Sequence, residues 1–316
     1  MKNIIKTGLI LLSLCLTFCI VGCDSNKQPE KANLNTKNNQ KTNSKLIIPK
    51  KSDDIAHIEK TKTTTVGNQS ESVNYNVVKN KHQRDSGKLD FNLMTNEELI
   101  NYASELLENG TYDENVNFIN LSHDRLSSDY ALKDLAIALY SNAIANATSN
   151  EEIISHNLTI GQLLYSYYTR RLIKTPLTEA RPYLESTFEK ISVENYNHPA
   201  TLSRKSVILY SLSDIYMQQK LPLEASFKLL NNVLQTYEIK KDNISQDEKM
   251  IFDMADETFF NHVADYIRTH PDIEYSKDIV KQVKEGLLRH ENTPDQRLLW
   301  AKNLQLLHEF VKDNEK

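Results

Sequence analysis

From about residue 93 to the C-terminus, apolar residues return at every third or fourth position. Leu223, Phe227, Leu230, Leu234 and Tyr237 form one such series, Ile279, Val283 and Leu287 a second, and Trp300, Leu304, Leu307 and Val311 a third. Each series makes one stripe along an α-helix, which is what an amphipathic helix needs to bury a face. The period-two alternation of a half-buried strand is absent over any useful length. Start signals punctuate the stripes. Thr95-x-x-Glu98, Ser149-x-x-Glu152 and Ser245-x-x-Glu248 are capping boxes, in which each side chain satisfies an otherwise orphan amide. Pro294 stands at a first helical position, where its missing N–H costs nothing, and Asn109-Gly110 is a natural stop. Together these signs predict an all-α fold of nine helices, near 96–108, 129–147, 150–172, 178–191, 199–219, 222–240, 246–269, 275–290 and 294–313. Short connections between the later helices predict antiparallel hairpins.

Residues 206–239 read SVILYSLSDIYMQQKLPLEASFKLLNNVLQTYEI. Leu209, Leu212, Ser213 and Tyr216 on the first helix, then Ala225 and Leu229, match positions of a tetratricopeptide repeat, the 34-residue helix–turn–helix unit. The segment resembles that family. It departs from the pattern in lacking Gly at 213, Phe at 229 and a Pro near 237, and in having Asn232 where a small apolar residue is usual. The preceding stretch resembles a degenerate copy, with Tyr168 and Ala180 at the tyrosine and alanine positions. The resemblance implies a TPR-like helical-hairpin repeat, an α-solenoid; the alternative is an irregular helical bundle. In that family the first helix of each hairpin lines a concave groove. Carried over, the groove positions are Val207, Tyr210, Asp214, Met217 and Gln218, with Tyr165 to Tyr168, Arg170 and Arg171 on the preceding helix. Tyr, Met and Arg are enriched at interfaces. Tyrosines on packed helices also bury their rings, so about half of these should be core.

The first 92 residues have a different texture. Lys2 and Lys6 precede a nearly continuous apolar run from Leu9 to Ile20, too short for the roughly 20 residues of a spanning helix. A positive start and a short apolar core are the pattern of a secretory signal peptide. It ends Ile20-Val21-Gly22-Cys23, which resembles the lipobox of bacterial lipoproteins. That resemblance implies a diacylglyceryl thioether on Cys23, cleavage after Gly22 and often a third acyl chain on the new amino terminus. Two or more chains anchor a protein stably where one does not. The other two cysteines, Cys15 and Cys19, would leave with residues 1–22, so the mature chain would have no disulfide and no cysteine metal site. Residues 23–92 are rich in Asn, Lys and Thr with little to bury, and read as a disordered tether reaching on the order of 45 Å. Residues 93–316 are the helical domain. Asp24 resembles the inner-membrane retention signal of enterobacterial lipoproteins.

Charge and chemistry narrow the function. Residues 24–90 carry 13 Lys and Arg against 8 Asp and Glu, while residues 91–316 carry a net charge of −11. An acidic domain argues against a nucleic-acid partner. Seven glycines and no GxGxxG, GxxxxGK[ST] or GxSxG leave no phosphate-cradling loop or nucleophile elbow. There is no HExxH. His262 with Asp265, and His123-Asp124 in an expected loop, are the nearest approaches to a catalytic pair, and each reads more simply as a surface hydrogen bond. Glu185 is the carboxylate to inspect for a glycan hydrolase, which needs a buried, neutral glutamate. The reading is of an extracytoplasmic, membrane-anchored adaptor or scaffold that is not an enzyme. It needs no cofactor or metal, and its partners are the membrane and an envelope protein or peptide. The alternatives are an envelope glycan hydrolase and a lipid-anchored immunity or blocking protein.

Overall fold

The computed structural model describes residues 90–171, 177–193, 198–291 and 298–315. Cys23, Asp24, the signal segment, the tether up to Leu89 and Pro294 lie outside them. The described residues are all-helical, with ten α-helices: α1 (Asn96–Asn109), α2 (Tyr112–Ser128), α3 (Lys133–Asn146), α4 (Asn150–Arg171), α5 (Arg181–Val193), α6 (Thr201–Gln218), α7 (Leu223–Lys240), α8 (Gln246–Thr269), α9 (Lys277–His290) and α10 (Leu298–Asn314). Short 3-10 turns at Phe91–Leu93 and Tyr130–Leu132 precede α1 and α3. None of the helices is long and apolar enough to cross a membrane.

The capping boxes at Thr95, Ser149 and Ser245 form as expected, each hydroxyl accepting the N3 amide while the glutamate accepts the cap amide. Gly110 does end α1, but in an extended rather than left-handed conformation, its N–H donating to the Leu106 carbonyl. The glycine is needed there for room, because a Cβ would lie 2.6 Å from that same carbonyl oxygen.

Two expectations are corrected. α2 was not anticipated, and His123 sits inside it rather than in a loop, buried with Nδ1 3.3 Å from the Tyr140 hydroxyl. The core also begins earlier than residue 93, because Phe91 is buried edge-on against Phe118 and Tyr102.

The helices pack in an ordered way. α4 lies against α6, α6 against α8, and α8 against α10, as one row. α5 and α7 pair with α4 and α6 as hairpins, and α9 packs on α7 and α10. Lys240 at the end of α7 donates to the His198 and Pro199 carbonyls before α6, which fixes that hairpin as antiparallel. α6 and α8 run closest of all. Their enclosed residues include Ser206 and Ser213 on α6 and Ala255 on α8, small enough to let backbones approach. α8 meets α7 and α9 through bulk instead. Phe259 and Phe260 stand edge-on to Phe227, Phe252 stacks on Tyr237, and Phe260 meets His290.

Successive row helices start at Asn150, Thr201 and Gln246, intervals of 51 and 45 residues. This is longer than the 34 residues of the repeat the sequence resembles. Ser213 is fully enclosed as expected, whereas Ala225 is only partly buried and Ser226 takes the enclosed place beside it. Asn232 has a task that explains its presence at an apolar position. With Thr236 it accepts hydrogen bonds from Lys205 Nζ, at 2.8 and 2.9 Å. Burial pushes that ammonium down to about 8.

Candidate functional site

The residues expected to form a groove come from α4 and α6, which the row arrangement sets side by side. Tyr210, Asp214 and Gln218 follow at intervals of four along α6 and so share one face. Tyr210 and Asp214 are half-buried, Met217 is half-buried against the core, and Gln218 is exposed. Tyr165 reaches this face from α4, although its ring is core: it is 2% exposed, and its hydroxyl donates to Asp214 Oδ2 at 2.9 Å. Tyr167 is also buried and turns the other way, donating to the Leu126 carbonyl of α2. Tyr168 is half-buried and donates to Gln218 Oε1. Gln218 in turn donates through Nε2 to Asp214 Oδ1 at 2.8 Å. The Arg170 side chain lies outside the described residues.

One further residue, His262, joins this face. His262 does not pair with Asp265, three residues along α8. Its Nδ1 stands 3.9 Å from Asp214 Oδ1, while Asp265 turns outward and pairs with Arg268. The carboxylate of Asp214 is thus shared by three successive row helices, through Tyr165 on α4, Gln218 on its own helix and His262 on α8. Below this junction Gln162 Nε2 donates to Ser211 Oγ at 2.8 Å, a buried tie between α4 and α6. Farther along the row, Asn303 of α10 donates to Asn261 and accepts from Arg268, both on α8.

Electrostatics follow from this packing. Burial raises the Tyr165 hydroxyl well above its ordinary value, and the nearby Asp214 charge adds to the rise. Tyr168 is raised by burial first and by Asp214 second. Both phenols therefore keep their protons and stay hydrogen-bond donors at neutral pH. Among the described residues, no Lys or Arg side chain comes within 4.0 Å of Asp214; His262 is its one ion-pair neighbour.

Glu185 is not an enclosed acid. Its Oε1 takes hydrogen bonds from Arg181 Nε at 2.8 Å and from the Tyr216 hydroxyl at 2.6 Å, and a third of its side chain is exposed. The arrangement ties α5 to α6, with the Arg181 guanidinium over the Tyr216 ring. A small cleft beside the candidate face, between Tyr130, Lys133, Tyr167, Tyr168 and Glu179, has room for about one water molecule. No group of three or more metal-ligating side chains occurs among the described residues. Comparison with protein-family models, with curated proteins and with solved structures finds no match.

Proposed function

We propose that this chain is a lipid-anchored adaptor of the bacterial envelope, whose helical domain binds an extended segment of a protein partner along the face of α4, α6 and α8. The observation that carries the reading is the shared junction at Asp214. Three successive row helices turn polar side chains toward one partly open face, hydrogen-bonded between α4 and α6 and joined by His262 of α8 at 3.9 Å, and the face is bordered by the half-buried Tyr168, Tyr210 and Met217. Such a mixture of aromatic rings and fixed polar groups suits recognition of a peptide more than of a nucleotide or metal. The row of first helices, each against the next, supports a TPR-like arrangement with a longer period than the 34-residue unit. The hydrolase alternative asks for an enclosed glutamate, whereas Glu185 is a third exposed and paired with Arg181.

The anchoring half of the proposal rests on Ile20-Val21-Gly22-Cys23 and is tested by fractionation. Replacing Cys23→Ala should release the chain from washed membranes and block its processing. A Cys23→Ala chain that is still membrane-bound and normally processed would remove the anchor from the account. A crosslinking pull-down with Cys23 intact tests the adaptor half, and recovery of no protein partner would count against it.

A further inference from the structure

We propose that the Asp214 junction is a receptor for a basic side chain, the guanidinium or ammonium group of an Arg or Lys in the bound segment. The inference rests on the peptide-binding reading above and names the chemistry of what binds.

The carboxylate is set as a receptor would be. Its side chain is 14% exposed, so it is largely withdrawn from water but reachable from one side. Tyr165 and Gln218 donate to different oxygens, Oδ2 and Oδ1, and so fix the plane of the carboxylate. Each carboxylate oxygen has room for a further donor beyond these two bonds. An anion held this way gains most from an incoming cation, because charge-assisted bonds strengthen where water is partly excluded. Among the described residues, His262 is the one group able to carry positive charge within 4.0 Å, and at 3.9 Å it is too far for a direct hydrogen bond.

The rings supply the second element. Tyr165 and Tyr210 meet edge-on, with centroids 6.3 Å apart and planes at 88°. Tyr168 lies on the same side, its hydroxyl held by Gln218. Tyr165 is enclosed, so the half-buried Tyr168 and Tyr210 are the rings open to a ligand, and rings beside a carboxylate attract cations, arginine in particular. The remaining element is charge complementarity at longer range. Residues 91–152 hold 11 Asp and Glu against 2 Lys and Arg, so the part of the domain before this face is strongly acidic. That field raises the encounter rate of a basic segment, while the junction itself provides the selectivity.

The test is fluorescence anisotropy on the full chain in detergent, with two labelled probes: the peptide Gly-Ser-Arg-Gly-Ser-Arg-Gly and its counterpart with Gln in place of both arginines. The Arg peptide should bind about tenfold or more tighter than the Gln peptide. Asp214→Asn should abolish the difference while leaving the helical circular dichroism spectrum unchanged. Gln218→Lys, at an exposed position, places an ammonium one turn from Asp214 and should block the Arg peptide from within. The triple variant Glu97→Gln, Glu105→Gln, Glu108→Gln on α1 should change the preference by less than about twofold, since a surface field is screened and distributed. Equal binding of the two peptides, both weakened by Tyr210→Ala, would overturn the basic-residue inference and leave the peptide-binding reading standing. An Arg preference lost in the triple variant but kept in Asp214→Asn would overturn it as diffuse attraction. Binding of neither peptide would overturn both.

Discussion

Replacing Asp256→Ala should cost about 3 kcal/mol of stability, the magnitude expected when one partner of a buried ion pair is removed. The Asp256 side chain on α8 is 3% exposed. Its Oδ2 stands 3.3 Å from Arg289 Nε and 3.1 Å from His290 Nε2, both at the C-terminal end of α9. Removing the carboxylate strands those two groups beneath Phe260 and Trp300, whose rings pack against Arg289 and His290. In a thermal melt the loss should appear as a fall in midpoint of roughly 10 °C for a domain of this size. A loss under about 1 kcal/mol would show that the pair contributes little.

The same residue sets an acid limb. Burial alone would raise the Asp256 carboxyl, but the adjacent His290 and Arg289 outweigh it and hold the group below the usual carboxylate range. A depressed folded value means the unfolded chain takes up the proton first. The contribution is therefore complete above the ordinary carboxylate value of about 4, and is lost as pH falls through the folded value. Asp256→Asn should flatten this part of the pH–stability curve.

The second large effect is expected at Gly286 on α9. A Cβ placed there would lie 1.9 Å from Cζ of Phe260, and the next two ring atoms would be 2.4 and 2.7 Å away. The ring has little freedom to withdraw. It is 1% exposed and hemmed in by Phe227, Phe259 and His290. Gly286→Ala gains about 1 kcal/mol in helix propensity, but overpacking of this kind costs 1–3 kcal/mol and occasionally more. With contacts this short the upper end applies, for a net loss of about 2 kcal/mol. Phe260→Leu removes the clashing Cζ. In denaturant melts, Gly286→Ala with Phe260→Leu should be less destabilised than the two single losses combined, by about 1 kcal/mol or more. Simple additivity would mean that the contact is not the cause.

Where the buried stripe is made of apolar residues, the helices could be read directly, as with Leu223, Phe227 and Leu230 on α7. α2 escaped because its buried face includes Asn115, Ser122, His123 and Ser127 alongside Phe118, Ile119 and Leu126. Polar residues in the core hide the period, although the start signal was present: Thr111-x-x-Glu114 forms a capping box like the three that were recognised. The candidate face was legible in part. The tetratricopeptide resemblance put Tyr210, Asp214, Met217 and Gln218 on one helix face with Tyr165 on the helix before, and the structure joins Tyr165, Asp214 and Gln218 by hydrogen bonds. His262 was assigned to Asp265 because that neighbour is one turn away in sequence. Its actual neighbour, Asp214, is brought in by the close α6–α8 packing, which small side chains such as Ser213 and Ala255 permit and no local pattern announces. The intervals of 51 and 45 residues, longer than the 34-residue unit, have a related cause. Matches within one hairpin say nothing of helix length, and α4 and α8 run to 22 and 24 residues.

Site-specific photo-crosslinking tests the adaptor claim most directly. A photoreactive residue would replace exposed Gln218 on the candidate face, or exposed Lys228 on α7, in the full membrane-attached chain. The account predicts a discrete protein adduct from position 218 and none from position 228. Adducts from position 228 with none from position 218 would contradict it.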